Sequence, residues 1–360
     1  MTDHPISAPG AGIGRSLRVG LLVRRMMGTA GPVLAVVAGL LAIWYLAAIP
    51  MNAAQSVTDA ERAGAAFDVS AAERRDMGGL SLVALAPGTA LAGAYGQERP
   101  RLPAPHQVAG EMWASTFALG ADCGPAERER DRLELFGRTW AVHEDCLAPV
   151  TSRRSLILHA GLTLAPTLLG FAIGSLLGVA LAVGIVHSRV MDLSVMPWAI
   201  ASQTIPILAI APMIIVVMNS VGIQGLLPKA IISAYLSFFP VVVGMAKGLR
   251  APSAADLDLM RTWGASGARI LWHLRLPASA PYLFASLKIG VAAALVGAIV
   301  AELPTGAVRG LGARLLAGSY YGQTIQIWSA LFAAAIAAAL LVAAIGGIER
   351  GVLGRMGLRR

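Results

Sequence analysis

The sequence predicts an all-α protein that crosses a membrane six times, with both termini in the cytoplasm and a long extracytoplasmic insertion. The chain is 56% hydrophobic and only 14% charged, whereas soluble domains are about 45–50% apolar and about 25% charged. Six apolar runs approach or exceed the about 17–25 residues that span a bilayer. Basic residues gather at both termini and in one internal loop, which the positive-inside bias places in the cytoplasm.

The predicted spans contain glycine and proline, which helices in lipid tolerate when neighbouring helices satisfy the backbone. They cover residues 33–49, 156–186, 193–218, 230–246, 282–301 and 325–348. A cleaved signal peptide is the alternative for the first run, because basic residues precede it. Its apolar core is longer than the about 7–15 residues of a signal peptide, and Trp44 and Tyr45 resemble an interfacial aromatic belt, so a retained anchor is favoured.

The net charge of +9 is explained by this topology. A single-stranded nucleic-acid site would interleave basic residues with aromatic platforms, whereas these arginines lie at helix ends, so no nucleic-acid partner is expected. Arg153 and Arg154 lie on the predicted outer side, against the charge bias. Long translocated loops follow that bias poorly, and the topology is kept.

The predicted outer insertion, residues 50–155, holds 14 of the 20 acidic residues. Residues 80–94 are weakly apolar, but they are too short and too rich in turn-forming residues for a span. Residues 127–138 are dense in alternating charge, which predicts an exposed helix. The chain is therefore predicted to divide into five parts. These are a cytoplasmic N-terminal segment (1–32), the first span (33–49), the extracytoplasmic insertion (50–155), a core of five spans with a loop at 250–281 (156–348), and a basic cytoplasmic tail (349–360).

Both cysteines, Cys123 and Cys146, lie in this insertion. An oxidising compartment favours a disulfide between them, which would stabilise a small domain by about 3 kcal/mol on the chain-entropy model. Free thiols and a metal site are the alternatives. Only His143 lies close by, without ligands at a metal-binding spacing, so no metal is expected.

The polar, basic stretch 258–281 separates two apolar segments, and its sequence is DLMRTWGASGARILWHLRLPASAP. It predicts a short helix at 256–263, a turn at Gly264, and a second helix at 266–274 that Pro277 ends before the fifth span. Glycine allows a positive φ, and proline stops a helix. The pattern favours a surface that a partner grips; an interfacial amphipathic helix is the alternative.

This stretch resembles the cytoplasmic signature loop of ABC-importer permeases, E-A-A-x3-G-x9-I-x-L-P. Asp258-Leu259-Met260 stands at E-A-A, Gly264 at the glycine, Leu274 at the isoleucine, and Leu276–Pro277 match. Further pieces resemble the nitrate/sulfonate/taurine branch: Leu102-Pro103-Ala104-Pro105, Phe238-Phe239-Pro240, Ala301-Glu302 and Gly310-Leu311-Gly312. The large Leu259 and Met260 depart from the family's small residues, as does the long insertion.

The resemblance implies a type I importer permease fold that pairs with a second copy or a homologue. A separate ATPase would bind ATP and magnesium, and an extracytoplasmic binding protein would deliver a small solute such as nitrate, a sulfonate, taurine or a heterocyclic precursor. This chain has no G-x4-G-K-[ST] motif, so no cofactor of its own is expected. The residues expected to contact the ATPase are Asp258, Leu259, Met260, Gly264, Ala265, Leu274, Leu276 and Pro277.

Polar residues inside spans are candidates for the translocation path, because they are costly unless they face a cavity or a partner. Gln203 and Thr204 would line the path or bond a neighbouring helix, and Asn219 would line it or cap its helix. Lys288 would contact an anion or extend to the interface. Glu302 would gate the path, anchor a loop or be solvated.

His159 is expected to be a hydrogen-bonded histidine near the membrane interface. The chain has no H-E-x-x-H or G-x-S-x-G motif, so no enzymatic activity is expected. The alternative to a permease is a membrane-anchored sensor or assembly protein whose insertion binds a ligand.

Overall fold

The computed structural model describes residues 13–117, two strands at 132–135 and 138–141, and residues 155–357 except 305, 306 and 308. Side chains are described from residue 31 onward and not in the strands. Cys123 and Cys146 lie outside the described residues, so their pairing stays a prediction, which the mass of the unreduced protein would test. The chain divides into two compact units, Met1–Gln107 and Val108–Arg360.

The first unit is built on helix α1 (Ile13–Arg62), which is much longer than the predicted span 33–49. It continues through Pro50, where the insertion was expected to begin. Three short helices follow: α2 (Ala71–Asp76), α3 (Gly79–Leu85) and α4 (Pro87–Gly93). The weakly apolar stretch 80–94 thus forms parts of two short helices, neither of which is long enough to cross a bilayer.

Asn52, which is fully buried, links distant parts of this unit through hydrogen bonds. Its side-chain amide donates to the carbonyls of Ala94 (2.9 Å) and Leu102 (2.8 Å), and its oxygen accepts from the Leu102 N–H at 3.0 Å. Ala53, Leu82 and Ala90 form the apolar cluster beside it. The C-terminal part of α1 is therefore a packed scaffold for α3 and α4, which explains why the helix persists beyond the apolar run.

Strands β1 (Arg132–Leu135) and β2 (Arg138–Ala141) pair as a two-stranded antiparallel hairpin. The expected helix at 127–138 is wrong where the chain is described, and the all-α class needs this exception. The sequence RLEL alternates charged and apolar residues, which is the period of a strand. In residues 132–135, the alternation of charged and apolar side chains is therefore the signal of a strand.

The hairpin belongs to the second unit, and the rest of that unit is helical where the structure describes it. After α5 (Pro105–Ala114), which starts at the unit boundary, its helices are α6 (Leu156–His187), α7 (Arg189–Ser202), α8 (Ile207–Ser220), α9 (Leu226–Leu249), α10 (Ala254–Thr262), α11 (Gly267–Ile270), a π-helical turn (Leu271–Arg275), α12 (Leu276–Glu302), α13 (Leu311–Tyr320) and α14 (Thr324–Arg355).

Five helices among the described residues are long and apolar enough to cross a membrane. They are α1, α6, α9, the continuous helix 267–302 and α14. The predicted third span, 193–218, is instead the pair α7–α8, bent by 100° at a short break. Pro206 stands at the N-cap of α8 and has no N–H to continue α7. The pair is a sixth, broken crossing if it counts as one span.

Small residues let α9 pack closely between α6 and α12. Gly170 and Gly174 of α6 face Ser233 and Ser237 of α9, and Gly244 and Gly248 of α9 face Ser286 and Ser279 of α12. A Cβ added at Gly297 of α12 would lie 2.8 Å from the Ser233 Cα. Close backbone approach of this kind is typical of helices packed in membranes.

Candidate functional site

Helix α10 is defined by signals in its own sequence. Ser253 and Asp256 form a capping box, in which each side chain accepts from the other residue's N–H at 3.2 Å. At the other end Gly264 has φ +69, and the Ala265 N–H donates to the Met260 carbonyl at 3.0 Å. This is the Schellman arrangement that ends helices. The helix and its turn are therefore encoded locally.

The helix–turn–helix, residues 253–275, exposes large apolar side chains beside charged ones. None of the side chains of α10 is buried. Leu259 is 52% exposed, Trp263 73% and Trp272 68%. Asp258 is exposed and forms an ion pair with Arg261 of the same helix, at 3.1 Å. Large apolar side chains grouped on an exposed polar element are typical of interaction surfaces.

The predicted end of the second helix at Pro277 is wrong. Pro277 does not end the second helix, because the chain is helical without interruption from Gly267 to Glu302. The π-helical turn intervenes, and the Leu276 N–H bonds the Leu271 carbonyl five residues back. Pro277 follows directly at the start of α12, where the wider spacing of the π-helical turn already replaces the regular bonds to i−4 that a proline would break.

The base of the helix–turn–helix is packed against the helix bundle. Leu271 and Leu276 contact a buried cluster formed by Ala182, Met245, Ala246 and Leu249. The Arg275 guanidinium donates to the Leu249 carbonyl at 3.4 Å. Among the other predicted contact residues, Met260, Ala265, Leu274 and Pro277 are half-buried. The exposed Asp258 and Leu259 are thus carried on an anchored base.

The predicted path residues do not form one cluster. Gln203 and Thr204 lie together in the break between α7 and α8, both exposed, and the Thr204 hydroxyl donates to the Ala201 carbonyl at 2.8 Å. Asn219 lies in the last turn of α8, also exposed. A 14-residue helix is about 20 Å long, which separates Asn219 from the other two. Whether these residues line a path stays a prediction.

Lys288 has a partner that the sequence did not suggest. Its ammonium forms an ion pair with the Glu349 carboxylate of α14. The two side chains are 34% and 21% exposed, so the pair is partly desolvated. Neither of the two predicted roles of Lys288, contact with an anion or extension of its side chain to the interface, involves Glu349. The pair ties α12 to α14.

Glu302 is fully buried and is therefore not solvated. Its carboxylate accepts from the Thr163 hydroxyl at 2.8 Å and from the Gly312 N–H at 2.7 Å. The Thr163 hydroxyl oxygen also accepts from the Leu311 N–H at 2.9 Å, and His159 Nδ1 accepts from the Gly310 N–H at 2.9 Å. These groups satisfy the free N–H donors at the start of α13, where negative charge is favourable.

This polar latch, formed by His159, Thr163, Glu302 and the start of α13, joins α6, α12 and α13. Glu302 has the loop-anchoring geometry, and His159 is buried and hydrogen-bonded. Sequence reasoning missed Thr163. A signal was present, because His159 and Thr163 are four residues apart and share one helix face. Within the described part of the chain, no group of three His, Cys, Asp or Glu side chains could hold a metal ion.

Residues 174–356 match a protein-family model described as the binding-protein-dependent transport system inner membrane component. The matched region contains the broken crossing, the helix–turn–helix and Glu302. The chain belongs to this family. It is a multi-pass protein of the inner membrane, and the predicted membership of the ABC-importer permeases is confirmed.

Three relatives show the range of this family. The permease is 32% identical over 191 residues to a "Probable ABC transporter permease protein" of Haemophilus influenzae, covering 51% of this chain and 76% of that one. It is 31% identical to the formylaminopyrimidine transport permease ThiX of Halalkalibacterium halodurans, over 43% of this chain and 60% of ThiX. It is 24% identical to SsuC of Bacillus subtilis, a permease assigned to aliphatic sulfonates, over 54% of this chain and 69% of SsuC.

Proposed function

We propose that this permease is the membrane subunit of an ATP-driven importer, in which it forms the translocation path for a small solute. Two permease chains, this one with itself or with a homologue, would enclose the path. ATP and magnesium would be bound by a separate ATPase, and an extracytoplasmic binding protein would deliver the solute. The permease itself would catalyse no reaction. Membership of a binding-protein-dependent transport family supports this assembly.

The exposed helix–turn–helix carries the proposal. An isolated nine-residue helix is marginal in water, yet α10 is capped at both ends and presents Leu259 and Trp263 outward. Tryptophan is enriched among residues that contribute about 2 kcal/mol or more to binding. We infer that this surface fits into a groove of the ATPase and moves with it when nucleotide binds.

We infer that the two polar elements of the core, the helix–turn–helix and the polar latch, lie on opposite sides of the membrane. Helix α12 runs for 27 residues from Leu276 to Glu302, which is about 40 Å. The basic helix–turn–helix precedes it, so the positive-inside bias assigns that end to the cytoplasm. The polar latch at Glu302 is then extracytoplasmic. We infer that the insertion, residues 50–155, lies on this outer side, where it would contact the binding protein or the gate.

The solute is left open between two chemical classes. The relatives named above are assigned to a formylaminopyrimidine and to aliphatic sulfonates. The proposal therefore includes small anions such as nitrate, a sulfonate or taurine, and heterocyclic precursors. A thermal-shift screen of the binding protein with taurine, nitrate and an aminopyrimidine would distinguish them.

Purification of the tagged full chain from its own host tests the coupling role. An ATPase subunit, identified by its peptide masses and by vanadate-sensitive ATP hydrolysis, should accompany the wild-type permease. The double variant Trp263→Ala/Trp272→Ala should lose it. Trp113→Ala is the matched control, because Trp113 is 64% exposed but lies on α5, far from residues 253–275 in sequence. An ATPase retained equally by both variants would refute docking through this surface.

A further inference from the structure

An ion pair connects the C-terminal end of α9, which precedes the helix–turn–helix, to helix α7 of the broken crossing. Arg250 is the C-cap of α9, four residues before α10 begins, and its guanidinium contacts the Asp192 carboxylate at 2.9 Å. Asp192 lies in the first turn of α7. The two side chains are 47% and 37% exposed, so water reaches the pair. Each charge has the sign that its helix end favours.

The other end of α7 is also bonded to α9. The Tyr235 hydroxyl donates to the carbonyl of Ser202, the last residue of α7. Because Asp192 is early in α7 and Arg250 is late in α9, the two helices run antiparallel between these bonds. Helix α7 is therefore held to α9 at both of its ends by long side chains.

The break follows directly after the second bond. Gln203 and Thr204 come next, and α8 then leaves at 100° to α7. Helix α8 also packs on α9, but through apolar contacts that include α12: Ala211 and Ile215 contact Ile232 of α9 and Ala301 of α12. Because only this short break connects the two helices, a displacement of α7 relative to α8 would change the backbone there.

We propose that the Arg250–Asp192 ion pair transmits movement of the helix–turn–helix to α7, and through α7 to the break at Gln203 and Thr204. The inference rests on the proposed importer function. Arg250 and Asp192 are positioning residues, since they would act through α7 rather than on the solute. A half-exposed pair is worth at most about 1 kcal/mol, a factor of about five, and this sets the largest effect that losing the pair can have.

The test follows the break itself and needs no known solute. The full complex with its ATPase is placed in nanodiscs as the Gln203→Cys variant, and the rate of maleimide labelling at residue 203 is measured by peptide mapping. The native cysteines stay in place because mapping distinguishes them. Rates are compared without nucleotide and after trapping with ATP and vanadate.

The nucleotide-dependent change at residue 203 should fall by up to about fivefold in Arg250→Gln and in Asp192→Asn. The double variant should be no worse than either single one, because each removes the same interaction. Arg250→Lys should retain most of the change. Lys247→Gln is the matched control, because it removes one exposed positive charge from the same helix end and should behave as wild type.

Three results would overturn the ion-pair role: no nucleotide-dependent change at residue 203 in the parent complex, single variants equal to the parent, or losses that add in the double variant. In each case the ATPase would still be bound, and the proposed function would stand. A complex that contains no ATPase at all would overturn both proposals.

Discussion

Gly264 determines the direction in which the exposed helix α10 leaves the base of the segment. Its φ is +69, and a Cβ added there would meet no heavy atom within 4 Å. Alanine at this position therefore introduces backbone strain without a steric clash. The left-handed conformation is about 1–2 kcal/mol less favourable for a residue with a Cβ. The population with the observed turn should fall by a factor of about 5–30, at 1.4 kcal/mol for each factor of ten.

The affinity of the purified permease for its ATPase, measured by titration in detergent, reports this population. Gly264→Ala should raise the Kd by about 5–30-fold, and Gly264→Asn by less, because asparagine tolerates the left-handed region. Gly267→Ala is the matched control, since a Cβ there also meets nothing within 4 Å and Gly267 lies in a helix. Equal affinities for Gly264→Ala and Gly267→Ala would refute the argument.

Three further predictions concern stability, measured as thermal midpoints of the purified permease by tryptophan fluorescence. Glu302→Ala should destabilise by about 1–3 kcal/mol because it leaves buried donors without an acceptor, and Glu302→Gln should do less; equal losses would contradict the latch. Gly297→Ala should destabilise by about 1–3 kcal/mol through overpacking against the α9 backbone, whereas Gly290→Ala, whose added Cβ would have its nearest neighbour at 3.3 Å, should destabilise less; the reverse order would be inconsistent with this packing. Lys288→Met should destabilise because it leaves Glu349 partly buried without its cation, and adding Glu349→Gln should recover part of the loss; a further loss in the double variant would rule out a stabilising pair.

Elements that depend on neighbouring residues could be predicted from the sequence. Five long helices follow from apolar runs that a bilayer must accommodate. The turn at Gly264 follows from its position between two helix-forming stretches, and Ser253 supplies a cap that its own neighbours complete. These interactions lie within a few residues of each other.

The predictions that were wrong or incomplete each have a physical cause. Hydropathy averaged over a window does not register one missing N–H, so the break at Pro206 was read as a continuous span. The continuation of α1 through Pro50 was missed because α3 and α4 stabilise it. In β1, the density of charge predicts an exposed helix, whereas charged and apolar residues alternate with the period of a strand.

Composition and charge by themselves determined that this protein is a multi-pass membrane protein, and short-range spacing was enough to place its exposed helix–turn–helix. Only the tertiary structure decided the partners of its intramembrane and interfacial charges. Glu302 bonds Thr163, 139 residues away in sequence, Lys288 pairs with Glu349, and Arg250 pairs with Asp192. A charge in a span must find a partner because lipid does not solvate it. Which partner it finds depends on how distant helices pack, and no local pattern encodes that.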